Sequence, residues 1–144
     1  MKLAPSIALA SSLFFALAGC SHDSKPADSA TASVPAEAFG RLTVEEVASK
    51  IAANDGKTFV FDDNEKERFA KGHVPGAKFL PFDQVTTEKL PNDKDATLVF
   101  YCYGEGCSAC HNAAKAAIGL GYTHVFIMPE GITGWEKKGQ KVES

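Results

Sequence analysis

The sequence predicts an α/β domain with a central parallel sheet, and three observations predict it. Leu98-Val99-Phe100-Tyr101 is an apolar run without polar alternation, the composition of a strand buried on both faces. Ala113, Ala116, Ala117 and Leu120 then recur at i, i+3, i+4 and i+7, which predicts a helix laying a small-residue face on that strand. Elsewhere the chain alternates short β-rich runs with helical segments, the order that builds a parallel sheet with helices on both faces.

At 144 residues, 44% hydrophobic and 23% charged, the chain accommodates one globular domain plus extensions and not two full cores. A formal charge of -3 argues against a nucleic-acid partner. Residues 1–19 combine a weakly basic start, an apolar middle from Ile7 to Ala18 and small residues before Cys20, the pattern of a secretory signal that has no part in the fold. Leu17-Ala18-Gly19-Cys20 resembles the lipobox of bacterial lipoproteins. That resemblance implies cleavage before Cys20, lipidation of Cys20 and, with Ser21 rather than Asp following, an address at the outer membrane facing the periplasm. Residues 20–40, rich in Ser, Ala, Pro and Asp, read as a lipid-anchored flexible linker. His22 within it is expected to be solvated.

The folded domain is expected over residues 41–144. Thr43 with Glu46 forms a capping box, and Val44, Val47, Ala48 and Ile51 make the apolar face of the helix it opens, which Asn54-Asp55-Gly56 ends. Thr58 to Phe61 reads as a buried strand, Glu65 to Ala70 as a short helix and Lys78 to Leu80 as a second strand, with the turn-rich Gly72-His73-Val74-Pro75-Gly76-Ala77 between them. Phe82 to Leu90 reads as a weakly helical connection broken at Pro91. After the central strand and the Ala-rich helix, His124 to Met128 is a further strand, and Gly131 to Gly139 a short helix anchored by the only Trp, Trp135.

Three of the four cysteines lie within nine residues, Cys102, Cys107 and Cys110. Cys102 closes the central strand, facing the amino end of the Ala-rich helix, where backbone N–H groups favour an anion such as a thiolate. Cys107-Ser108-Ala109-Cys110 is a C-x-x-C at a helix start, an arrangement suited to reversible disulfide chemistry. With His111 it also spells the covalent attachment motif of c-type haem, for which Met128 or His124 are conceivable further ligands. A core of this size offers no obvious space for a macrocycle, so no cofactor and no metal is the expectation, with haem held by Cys107, Cys110 and His111 as the alternative. A structural disulfide pinning the loop is a third possibility in an oxidising compartment.

The order of elements, Asp62 at a strand end, the Gly72-to-Ala77 turn, the cysteine closing the central strand, Gly121-Tyr122 before the last strand and Gly131 through Trp135 to Gly139 together resemble a rhodanese domain. The resemblance covers about Leu42 to Glu143. It implies a single rhodanese-like domain in which Cys102 is the persulfide-carrying nucleophile of a sulfurtransferase, while His73 and Trp135 hold structure. Cys107 and Cys110 are then redox or modulating residues. The expected partners are small sulfur compounds or a protein thiol acceptor, with the membrane reached through the lipid anchor. A non-catalytic sulfur-binding module is the competing reading. Two departures from the family bear on the substrate. Asp62-Asp63-Asn64 stands where an Asp-x-Arg is usual, and Tyr103-Gly104-Glu105-Gly106 lacks the cations that would hold thiosulfate and adds a carboxylate that disfavours a dianion. A polysulfide or a low-molecular-weight persulfide is therefore the expected donor.

Overall fold

A computed structural model of the protein describes residues 38–144, so the signal segment, Cys20 and nearly all of the linker lie outside the described residues. Five strands are all paired in parallel: β1 (Gly40–Arg41), β2 (Thr58–Asp62), β3 (Lys78–Phe79), β4 (Thr97–Tyr101) and β5 (His124–Ile127), in the spatial order β1-β5-β4-β2-β3. Four α-helices accompany them: α1 (Val44–Ala53), α2 (Lys66–Lys71), α3 (Ala109–Gly119) and α4 (Gly131–Lys137). The predicted α/β class and parallel sheet are what the chain adopts.

Strand β4 is central, and its alternation divides the core in two. Leu98, Phe100 and, one step past the strand, Cys102 join the apolar layer under α3, together with Phe61, Leu80, Ala113, Ala117 and Ile127. Val99 and Tyr101 face the opposite layer, built from Val44 and Val47 of α1, Val74, Met128, and Ile132 and Trp135 of α4. Both layers are apolar where they meet β4, which is why β4 shows no polar alternation. At the far end of the strand, Tyr101 donates its hydroxyl to Asp62 Oδ2 at 2.6 Å and accepts the Val74 amide at 3.0 Å. The Gly72-to-Ala77 turn is thereby hung from the centre of the sheet.

Local signals account for α1 in full. Thr43 Oγ1 accepts the Glu46 amide and Glu46 Oε2 accepts the Thr43 amide, the reciprocal box read from the sequence, and Asn54 ends the helix in the left-handed conformation at φ 44°. Elsewhere the chain departs from expectation. The buried face of α3 is Cys110, Ala113, Ala114 and Ala117, not Ala113, Ala116, Ala117 and Leu120. Alanines crowd two adjacent faces of this helix, so small size alone does not fix its rotation, and the phase that wins turns Cys110 inward. Phe82 to Leu90 is not helical beyond a single 3-10 turn at Phe82–Gln84, because Val85, Thr86 and Thr87 are poor helix formers and no cap closes the turn. The last strand stops at Ile127. A two-residue strand, β1, too short to leave a period in the sequence, precedes α1, and Phe39 beside it is buried under α3.

Candidate functional site

The register of β2 on β4 pairs Phe61 with Phe100 and Asp62 with Tyr101, so the next pair along the two chains is Asp63 beside Cys102. The Asp63 amide donates to the Tyr101 carbonyl at 2.8 Å, which extends the ladder by one step. Side chains alternate along both strands. Asp62 therefore goes with Tyr101 toward α1 and α4, and Asp63 goes with Cys102 toward α3.

Cys102 is buried, 1% exposed, and is joined by a disulfide to Cys107. Cys110, also buried, is a free thiol with its Sγ 3.7 Å from Cys102 Sγ and 3.6 Å from His111 Nδ1. Three sulfurs thus converge at the carboxyl end of the central strand. The C-x-x-C pair of the sequence is not the bonded pair: Cys107 bonds back to Cys102, and Cys110 faces the same sulfur from α3. Burial, with the Asp63 carboxyl next in importance, pushes the Cys110 thiol up to about 11, so it rests protonated. Helix α4 directs its first amides at the loop backbone, Ile132 N–H to the Cys102 carbonyl at 2.9 Å and Thr133 N–H to the Tyr103 carbonyl at 3.0 Å. Gly131 makes that approach possible. It sits at φ 59°, and a Cβ there would run into the Cys102 carbonyl, the Tyr103 carbonyl carbon and the Gly104 nitrogen.

Cys107 is the half-buried member of the trio and lines a cleft of about 430 Å³ with Asp63, Asn64, Arg68, Phe82 and Tyr103. The loop itself offers no cation, as its sequence indicates, but α2 supplies one: the Arg68 guanidinium lies 4.3 Å from the centre of the Tyr103 ring at this cleft. Phe82 and Tyr103 are both exposed and give the cleft apolar edges. Glu105 lines a different cleft, of about 490 Å³, with Glu130, Lys137 and Lys138 against α4. Asn64, at the position where an Arg was expected from the resemblance, turns inward and donates both its amide and its side-chain Nδ2 to Asp62 Oδ1, at 2.8 and 2.7 Å.

Sequence reasoning missed Asp63. It is 6% exposed and neither carboxylate oxygen has a hydrogen-bond partner. Burial, reinforced by the neighbouring Asp62, raises its pKa well above the ordinary carboxylate value and so favours the neutral acid. The only available signal was the doubled Asp62-Asp63 at a strand end, since alternation requires one of the two to face inward.

The haem alternative fits poorly. Thioether attachment needs Cys107 and Cys110 free on a common open face beside His111, whereas Cys107 is bonded to Cys102 and Cys110 points into the core at 1% exposure. His111 is packed edge-on against Phe39, with ring centres 5.7 Å apart. No cluster of three or more metal-ligating side chains occurs among the described residues. His73 lies in the turn, its Nδ1 3.0 Å from the Phe69 carbonyl and its ring stacked on Phe69 at 3.8 Å, and Trp135 donates Nε1 to the Lys141 carbonyl at 2.8 Å. Neither lines the cysteine cleft.

Residues 43–138 match the family model of the rhodanese-like domain. The chain belongs to this family. Solved structures agree on the fold. A Bacillus halodurans protein superposes with a TM-score of 0.67 at 24% identity, over 73% of this chain and 77% of its own. The rhodanese-like domain of an Anabaena sp. protein gives 0.62 at 18%, over 72% and 78%. A Rhodopseudomonas palustris protein described as of unknown function and a possible tyrosine phosphatase gives 0.62 at 20%, over 73% and 85%. Within this rhodanese-like domain, the strand-end cysteine, the loop after it and α3 all fall inside the matched residues.

Proposed function

We propose that this rhodanese-like domain carries sulfane sulfur as a persulfide on Cys102 and discharges it with Cys107 as the resolving thiol, at the bacterial cell envelope. The observation that carries the reading is the Cys102–Cys107 disulfide, since a sulfur able to bond Cys102 Sγ is placed to displace a group from it. In loading, the Cys102 thiolate attacks the outer sulfur of a polysulfide or an organic persulfide, R–S–S⁻, and expels R–S⁻. In discharge, Cys107 attacks Cys102 Sγ, the outer sulfur leaves as hydrosulfide, and the two cysteines end as the disulfide. Two thiol sulfurs are oxidised and one sulfane sulfur is reduced. A protein dithiol or a small thiol must then reduce the disulfide, which makes this class of molecule the domain's redox partner. Arg68 at the cleft, with the apolar edges of Phe82 and Tyr103, suits an organic persulfide bearing a carboxylate better than a small inorganic dianion.

The test is to reduce the protein, add polysulfide, and follow intact mass and released sulfide. Wild type gains one sulfur atom, then loses it as the disulfide forms. Cys107→Ser keeps the sulfur, with release slowed at least about tenfold, because Cys110, protonated except for on the order of one part in ten thousand at pH 7, is a slow substitute. A wild type that gains no sulfur, or a Cys107→Ser variant that releases it at the wild-type rate, defeats the reading. The envelope address rests on Cys20. Cys20→Ser is expected to move the full chain from the membrane fraction to the soluble fraction and to end incorporation of labelled fatty acid. Unchanged membrane fractionation together with no labelling of wild type would contradict the anchor.

A further inference from the structure

We infer that Asp63 is the general acid of the discharge step, handing a proton to the sulfur that leaves Cys102. The inference rests on the persulfide reading and adds a residue that the family resemblance did not point to.

Three geometric facts support it. Asp63 is the cross-strand neighbour of Cys102 on the face under α3, by the register of β2 on β4 and the alternation of Asp62 toward Tyr101. It lines the same cleft as Cys107, the thiol that attacks. Both of its oxygens are buried without a partner, a condition that costs about 1–3 kcal/mol and is rare for an acid with no further use. Asp62, one residue earlier, is by contrast satisfied by Tyr101, the Asn64 amide and the Asn64 side chain.

The chemistry requires such a group. A Cys102 persulfide is anionic at its outer sulfur. When Cys107 attacks Cys102 Sγ as a thiolate, that outer sulfur would depart as a doubly charged sulfide in an apolar site, which desolvation forbids. With a proton from Asp63 it departs as hydrosulfide. The step balances: Cys107 thiolate, Cys102 persulfide anion and Asp63 carboxylic acid give the Cys102–Cys107 disulfide, hydrosulfide and Asp63 carboxylate, with two negative charges on each side. The carboxylate then regains its proton from water through the cleft.

Other titratable groups lie near Asp63, on both faces of the sheet, and they set the rest of the pH profile. Asp62 on β2 disfavours the Asp63 anion, and Tyr101 on β4 stays protonated because burial pushes its hydroxyl pKa far up. Glu65, just before α2, and Arg68 within it line the same cleft. Cys110 on α3 stays a thiol. Cys107 must lose a proton to attack, so discharge rises with pH as its thiolate forms. It falls again at higher pH as Asp63 loses its acid form. The profile is a bell, and its falling limb belongs to Asp63.

The experiment uses full-length, reduced protein loaded with polysulfide, with sulfide release timed between about pH 5 and pH 10, a span that brackets the ordinary thiol range. Asp63→Asn keeps the shape of the side chain and removes its acid. It should still take up one sulfur atom at Cys102, release sulfide at least about tenfold more slowly, and lose the falling limb while keeping the rising one. Uptake of one sulfur atom by the variant, at whatever rate, shows at once that it is folded and that the persulfide reading stands. Asp63→Asn release matching wild type in rate and profile overturns the role of Asp63 alone, whereas absence of loading in wild type overturns the persulfide reading beneath it. If the variant does not fold, the wild-type profile decides, and a release rate that only rises with pH refutes the assignment.

Discussion

Cys102→Ser is expected to abolish sulfur loading, lowering its rate by at least about a hundredfold, since the thiolate is the nucleophile and a serine hydroxyl is essentially un-ionised at neutral pH. The protein should fold, because a hydroxyl is smaller than the thiol and much of the surrounding layer, Phe61, Leu80 and Ala113 among it, is contributed by other elements. Burial of a hydroxyl beside Cys110 costs some stability, on the order of 1 kcal/mol. The cleaner readout is therefore chemical. Reduced variant and wild type are exposed to the same polysulfide, and the sulfur gained is measured by mass and by cyanide trapping. A variant that loads like wild type moves the active centre away from the strand end. Loss in Cys107→Ser and Cys110→Ser alone would make the C-x-x-C the centre instead.

Gly131→Ala is expected to have the largest effect on stability. The residue holds φ 59°, where an L side chain costs roughly 1–2 kcal/mol, and the added methyl would strike three backbone atoms of the Cys102–Gly104 segment, none of which can swing aside as a flexible side chain could. A total of about 3 kcal/mol follows from adding the overlap, and at about 4–8 °C per kcal/mol for a domain of this size the melting temperature should fall by more than about 10 °C. Thermal denaturation followed by circular dichroism measures it. A fall of less than about 2 °C would mean that α4 shifts away from the loop at little cost. In that case the hydrogen bonds from Ile132 and Thr133 to the loop carbonyls are not structurally important.

What the sequence displayed depended on how local each signal was. Thr43, Glu46 and Asn54 act within four residues of their partners, so the limits of α1 are legible. The apolar run before Cys102 declares a strand covered on both faces and, by alternation, the side on which the cysteine falls. The rotation of α3 is not legible, because Ala113, Ala114, Ala116 and Ala117 offer almost no contrast between neighbouring faces. Consequently the inward turn of Cys110 is hidden, and so is the choice of Cys107 as the partner of Cys102. Both choices depend on the path of the loop between β4 and α3, residues 102–108. Arg68 and Asp63 reach the site across the sheet from β2 and α2, a proximity that no spacing along the chain encodes. An aspartate also reads as a surface residue until its neighbours are known.

The clamp of α4 on the cysteine loop makes the two halves of that loop unequal. The amides of Ile132 and Thr133 fix the carbonyls of Cys102 and Tyr103, while past Gly104 the chain runs through Glu105 and Gly106 at φ 84° to the Cys107 amide, which donates back to the Gly104 carbonyl. Breaking the disulfide frees Cys107 but leaves the strand end tied. Conformational change on reduction is therefore confined to Gly104–Ser108, with Cys102 as the stationary post and Cys107 as the moving arm. In hydrogen exchange, the Ile132 and Thr133 amides should keep the same protection in both redox states while the Cys107 amide loses its own on reduction. A partner that senses whether this domain is oxidised would then need to touch only those five residues.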